Sequence, residues 1–397
     1  MLHVRNSLVL LTAISATLCC ASCRVVEGPL SDGSAGSRVL WRIPSDSSQN
    51  DFPHEPAANA AGSMAYFVTT DYRLKKVRGS DGTVVWNVDV GPIRGTLPGW
   101  NVVVAGSTVA FAKVDLFGYD TTTGRELWSY VAPGGDETGY TSITADDSTV
   151  YTASRGGRAY AIDARTGLAK WITDLRQGRT DVFALHPTYD RGTLYVATHA
   201  SAGADEATLW ALDASNGAVR WKYDFTPEFP NLPNVAYGGA AVWGDLVIEP
   251  VADGRVFAFD RATGAVRWIA PRVHLLPPAG SSLGDLRWPV VSGDNLVVTS
   301  STSGVLVSLD PETGSERWRN TDFLEAAYQP VMDDQSVYVP LGGVFAAFDV
   351  NTGRLRWKDN GPVMDGFARG TPFQGRPAIA ADRLYVGGLD GSYAIRK

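Results

Sequence analysis

The sequence predicts an all-β protein: a single eight-bladed β-propeller of four-stranded blades, closed by pairing of its N- and C-terminal strands. Three observations carry this expectation. A ten-residue segment ending in tryptophan recurs along the chain, a strand-like run precedes each copy, and the two chain ends together supply one further copy.

The recurring segment reads YDTTTGRELW (119–128), IDARTGLAKW (162–171), LDASNGAVRW (212–221), FDRATGAVRW (259–268), LDPETGSERW (309–318) and FDVNTGRLRW (348–357). A weaker copy, VRGSDGTVVW (77–86), keeps the glycine and tryptophan but lacks the aspartate, and Trp41 in RVLWRIP has no turn before it. Trp41, Trp86, Trp128, Trp171, Trp221, Trp268, Trp318 and Trp357 are successively 45, 42, 43, 50, 47, 50 and 39 residues apart. A period of that size marks a propeller or an array of repeated units.

Each copy is expected to be a hairpin. Asp120, Asp163, Asp213, Asp260, Asp310 and Asp349 can accept hydrogen bonds from backbone N–H groups of the turn, and the glycine four residues on can take φ > 0 where a bulge joins the next strand. The tryptophan then falls on the outermost strand of its blade, where the ring covers the junction with a neighbour and buries ~150–250 Å². Regular spacing assigns all eight tryptophans to blade docking rather than to ligand stacking. Upstream, runs such as GSMAYFV (62–68), DSTVYTA (147–153), RGTLYVA (191–197) and DRLYVGG (382–388) alternate apolar and polar residues after a short turn, the pattern of a strand entered from a hairpin; there are eight. The last segment, ADRLYVGGLDGSYAIRK (381–397), stops where a tryptophan-bearing strand should follow, and Trp41 lies on such a strand without predecessors. Joining them makes an eighth blade and leaves no open sheet edge at the closure.

Composition agrees. Among 397 residues, 42 Gly and 22 Pro punctuate short apolar runs, and repeats running from end to end favour one closed domain over two. The net charge of −7 becomes −8 once residues 1–22 are removed, which argues against nucleic acid or an anionic membrane surface as the main partner.

Residues 1–22 read as an export signal: a basic start at Arg5, an apolar segment from Ser7 to Leu18 too short to span a bilayer, then small residues. Cys20-Ala21-Ser22-Cys23 resembles a bacterial lipobox, which would make Cys23 the lipid-bearing first residue of the mature chain. Residues 23–37 are Gly/Ser-rich and read as a lipid-anchored flexible tether, with the propeller over 38–397. All three cysteines precede residue 24, so the propeller must hold without disulfides.

The repeated YAIDARTGLAKW pattern (160–171) resembles the quinoprotein-like, or PQQ-like, β-propeller repeat over essentially residues 38–397. Within that superfamily, the export signal, candidate lipid cysteine and eight blades without added domains look like the BamB family of outer-membrane assembly lipoproteins. That resemblance implies a non-enzymatic protein with no cofactor, facing the periplasm from the outer membrane and binding protein partners in the envelope. The alternatives are a PQQ-dependent or other small-molecule enzyme using the propeller channel, or a carbohydrate-binding module. Many quinoprotein dehydrogenases stack the quinone on a disulfide between adjacent cysteines, whereas the adjacent pair here, Cys19-Cys20, lies in the signal. His54, His186, His199 and His274 have no metal-ligand spacing, and Asp146-Asp147 and Asp333-Asp334 sit in short turns, where carboxylates usually satisfy backbone donors.

Copies differ mainly in the inter-blade connections and second-to-third-strand hairpins, which share one face. The longest include 225–238 and 271–288, and blade 4 carries an insertion at 199–207. Insertions on one face of a repeat protein mark its binding surface. Phe229, Leu232, Tyr237, Leu275, Leu276 and Leu283 supply apolar and aromatic anchors there and are the candidate partner-binding residues. At the other end of the chain, Cys23→Ser should release the protein from the membrane into the soluble fraction, read by immunoblot of fractionated cells. An unchanged distribution would exclude acylation at Cys23.

Overall fold

The computed structural model describes residues 38–45, 54–91, 101–133, 139–200, 207–226, 238–270, 286–300, 305–322, 328–341, 344–359, 373–388 and 391–397. Their strands form eight four-stranded antiparallel sheets, the blades of an all-β propeller. Blades 1 to 7 take residues 57–89, 102–130, 140–174, 182–225, 241–270, 286–320 and 331–359. Blade 8 joins Phe373–Ile379, Arg383–Gly388 and Gly391–Arg396 to Val39–Pro44, its outermost strand, with Trp41 opposite Ala394. Both ends of the sequence therefore complete one sheet, as expected.

The core is divided among the seams between blades. Tyr195, Leu209 and Trp221 of blade 4 pack with Val247, Phe257 and Phe259 of blade 5, and seven further clusters repeat the arrangement around the ring, the last bringing Trp41 and Tyr385 of blade 8 onto Phe67 of blade 1. This explains a difference from the sequence pattern. Second strands such as Thr149–Ser154 and Thr108–Ala112 are buried along their whole length because blades cover both faces. Outer strands such as Ala169–Asp174 do alternate, with Trp171 inward and its neighbours exposed.

The hairpin before each outer strand fixes the seam. In blade 3, Asp163 Oδ1 accepts hydrogen bonds from the N–H groups of Arg165 and Thr166 and from the Thr166 hydroxyl, and Gly167 takes φ 72° beside a bulge at Ala161/Ile162. That glycine faces the Trp128 ring of blade 2: a Cβ on Gly167 would stand 2.6 Å from the Trp128 Cγ. The Trp128 indole N–H donates to Ala164 O at 2.8 Å. Trp41, Trp86, Trp171, Trp221, Trp268 and Trp318 likewise donate to Gly79, Thr121, Ala214, Arg261, Pro311 and Val350 carbonyls of the next blade. In blades 3 to 7 the turn aspartate also meets the cation just before the tryptophan, as in Arg220–Asp213 at 2.9 Å and Arg356–Asp349 at 2.7 Å. Hydrogen bonds from Ser215 and Arg220 hold the Asp213 carboxyl down at about 2.

Among the described residues blade 8 has no such turn, its third and fourth strands being distant in sequence. Arg38 stands in for it. The guanidinium lies 4.5 Å from the Trp357 ring centroid, Nη1 donates to Lys397 O at 3.1 Å, and the backbone N–H donates to Asp359 Oδ2 at 2.6 Å.

Two glycines separate backbone strain from docking. Gly192 has φ 79° with nothing within 4 Å of an added Cβ, whereas Gly167 has similar φ and the Trp128 ring against it. Gly192→Ala should cost about 1 kcal/mol of stability from the left-handed conformation alone. Gly167→Ala should cost a further ~1–3 kcal/mol for the displaced ring. Urea unfolding of the two variants measures the difference, and equal losses would show that the ring contact is not a close-packed one.

Candidate functional site: the channel mouth and the loop face

The first strand of every blade lines the central channel and is a sheet edge, so a residue there needs no N–H partner on the open side. Proline is accordingly frequent, at Pro56, Pro187, Pro289, Pro330 and Pro377. The residue before each proline occupies an equivalent place, two positions ahead of the residue that pairs with the middle of the second strand: Ala57 with Tyr66, Thr188 with Tyr195, Val331 with Tyr338, Ala378 with Tyr385. Around the ring these places hold Glu55, Asn101, Ser142, His186, Gly239, Trp288, Gln329 and Arg376. Local twist aims them. His186, Trp288 and Gly239 have φ of 37°, 52° and 72°, and bulges fall at Leu185/Thr188 and Arg287/Val290.

Glu55, Asn101, Ser142, His186, Gln329 and Arg376 border a cavity of about 460 Å³. Several of these groups bond across to a neighbouring blade. Asn101 of blade 2 accepts from Ile143 N–H at 2.8 Å and donates to Ile143 O at 2.6 Å, both in blade 3. Ser142 of blade 3 meets His186 Nδ1 of blade 4 at 3.0 Å, and Thr188 of blade 4 donates to Ala240 O at the start of blade 5 at 2.9 Å. Burial raises the Glu55 carboxyl, while the Arg376 guanidinium and backbone N–H of blade 8 work against that shift. Side-chain hydrogen bonds thus join blades 2 to 5 in series at the mouth, and Arg376 of blade 8 meets Glu55 of blade 1. Calcium prefers six to eight oxygen ligands, and Glu55 is the one carboxylate among the residues that border this cavity. Among the described residues no three His, Cys, Asp or Glu side chains gather to hold a metal ion.

The histidines are dispersed. His54 is buried, meets Ala112 O at 3.0 Å and stands edge-on to Phe111; burial lowers it to about 4, so it is neutral at pH 7. His199 packs on Phe183 at 5.3 Å, and burial lowers its pKa too. His274 lies outside the described residues. Asp146 and Asp333 accept backbone N–H bonds within their own turns, from Ser148 and from Gln335 and Ser336.

The eight tryptophans lie at the seams described above. Cys23 falls outside the described residues, as do Phe229, Leu232, Tyr237, Leu275, Leu276 and Leu283. Their segments, 227–237 and 271–285, run between blades 4 and 5 and between blades 5 and 6. Blade 5, between the two, holds charged groups that pattern reading missed. Asp253 and Arg255 pair at 2.6 Å in its second-to-third-strand hairpin, and Arg255 lies over Phe257 at 5.0 Å. Glu249, opposite Phe257, is fully buried, and neither carboxylate oxygen has a hydrogen-bond partner among the described residues. Equivalent places elsewhere hold Phe67, Phe111, Thr152, Val196, Val298, Val339 and Val386, so an acid in LVIEP (246–250) was the visible signal.

Fold and channel together define the class: a propeller built from PQQ-like repeats. The PQQ_2 family model, described as outer membrane protein assembly factor BamB, matches residues 32–142, 136–273 and 273–396, and the chain belongs to that family. It is 31% identical to the serine/threonine-protein kinase AfsK of Streptomyces griseus over 48% of this chain and 22% of that protein. Identity to the dehydrogenase subunit of the quinone alcohol dehydrogenase of Komagataeibacter europaeus is 24%, over 76% of this chain and 45% of the relative. Identity to BamB of Bordetella pertussis is 27%, over 75% of each chain. The chain thus spans less than half of the first two relatives. The crystal structure of BamB from Moraxella catarrhalis has the same fold, with a TM-score of 0.67 at 18% identity over 90% of this chain and 98% of that one.

Glu249 makes stability depend on pH. Burial raises its carboxyl from 4.5 to about 8, so the folded state keeps a proton that the unfolded chain releases. Its effect on stability is least below pH 4.5; as pH rises from 4.5 to about 8, stability should fall by up to ~1.4 kcal/mol per unit. Glu249→Gln should flatten that slope in urea midpoints measured across the window. An unchanged slope would assign the pH dependence to other groups.

Proposed function

We propose that this protein is a non-catalytic scaffold of the cell envelope, BamB-like, that binds protein partners through the face carrying connections 227–237 and 271–285. The observation that carries the proposal is the bonding between blades at the channel mouth. Asn101, Ser142 and Thr188 bond to neighbouring blades, and Glu55 is held by Arg376, so these polar groups of the channel tie blades together. Family membership supports the same reading, as does coverage of 75% of a BamB chain against 45% of a quinone alcohol dehydrogenase subunit. An export signal at residues 1–22 and acylation at Cys23 would place the propeller at the membrane surface, a role in assembling outer-membrane β-barrel proteins being the BamB-like form of this function.

Cross-linking in native envelopes, followed by purification of the full mature chain, tests the surface. Phe229→Asp combined with Leu275→Asp should abolish the cross-linked adducts while shifting the melting temperature by only a few degrees. Loss of stability would instead make these side chains local caps over blade 5, and adducts retained by a stable double variant would place the partner elsewhere.

A further inference from the structure

Seven seams share one arrangement. A tryptophan of one blade donates its indole N–H to the carbonyl following the turn's first residue in the next blade, while the turn glycine presses on the ring. The eighth seam, between blades 7 and 8, has the tryptophan but no turn among the described residues. Arg396 stands where six blades have the turn aspartate, since it pairs with Arg383 as Asp163 pairs with Thr149. Lys397 O, the expected indole acceptor, is taken by Arg38 Nη1. The Trp357 indole N–H is the one of the eight left without an acceptor among the described residues.

Beside it lies a cavity of about 690 Å³ bordered by Arg38, Tyr338, Arg356, Trp357 and Lys397, with Asp333 and Asp334 at its edge. Most of these charges are committed. Arg356 pairs with Asp349 at 2.7 Å, Lys397 with Asp333 at 2.8 Å, and Asp334 accepts from Ser292 at 2.7 Å. Arg396 is exposed and has no ion pair among the described residues.

We propose that the closure seam is a docking socket for a glycine-containing β-turn of a partner polypeptide, with the Asp-x-x-Thr-Gly chemistry this chain uses at its own seams. Three features select that occupant. The aromatic face accepts a residue without Cβ, as Trp128 accepts Gly167. The unmet indole N–H calls for a backbone carbonyl, the acceptor at every other seam. Arg396, exposed and without an ion pair among the described residues, offers a cation to the turn's aspartate. Seating the turn displaces Arg38 from the ring, which breaks a cation–π contact worth ~0.5–2 kcal/mol together with its hydrogen bond to Lys397 O. The socket includes none of the six candidate partner-binding residues, so it stands or falls independently of the function proposed above.

The test uses the full mature chain with ¹⁵N-labelled tryptophan and a disulfide-closed hairpin peptide copying residues 158–169. The Trp357 indole resonance, assigned through Trp357→Phe, should shift saturably while the other blade tryptophans stay in place. A peptide with alanine at the position of Gly167 should not bind. Arg38→Ala should bind the peptide at least roughly threefold to tenfold more tightly, because neither the ring contact nor the bond to Lys397 O has to be broken. If that variant does not fold, Arg38→Lys, which keeps the charge without the planar group, replaces it. No shift at millimolar peptide, equal binding of the alanine peptide, or a Trp357 indole N–H already protected from exchange in the free chain would overturn the proposal. The last result would mean that the residues preceding Arg38 fill the socket.

Discussion

The contact of a tryptophan ring with the glycine turn of the next blade is what the rest of this molecule depends on. It is local in sequence on each side and non-local across the seam, so at seven of the eight seams a blade is docked by its neighbour rather than by its own core. Turn and ring need each other: the aspartate shapes the turn, the turn places a residue without Cβ, and the ring fills the space. Because the core is spread over eight seams, a ring closed by this contact holds without disulfides.

Closing a ring from a linear chain forces one seam to differ. Blade 8 draws strands from both ends, which protects the sheet edge but removes the turn that would have joined them. A guanidinium can do parts of two jobs there, covering an aromatic face and binding a carbonyl, and Arg38 does both. It cannot also accept the indole proton. The closure is therefore where the repeat is most complete in topology and least complete in chemistry.

Inside the ring the same economy of neighbours applies. The first strands have a free edge on the channel, and their polar side chains bridge to the next blade where the sheet itself cannot. Blade 5 departs from this by burying Glu249 with no hydrogen-bond partner among the described residues. A buried unpaired carboxyl destabilises the fold wherever it is ionised.

By itself the sequence determined blade number, strand count and the identity of the docking residues' positions, because the Asp-turn-Gly-Trp segment is short, periodic and made of residues with strong local preferences. It also determined that the chain ends share a blade, since each end held what the other lacked. Tertiary structure alone decided which blade each tryptophan touches, that Arg38 replaces the missing turn, and that Glu55, Asn101, Ser142, His186, Gln329 and Arg376 meet at one mouth. Those residues lie up to 321 positions apart and differ in type from copy to copy, so no motif links them. Only closing the ring brings equivalent positions of different blades onto a common axis, where side chains unrelated in sequence become hydrogen-bond partners.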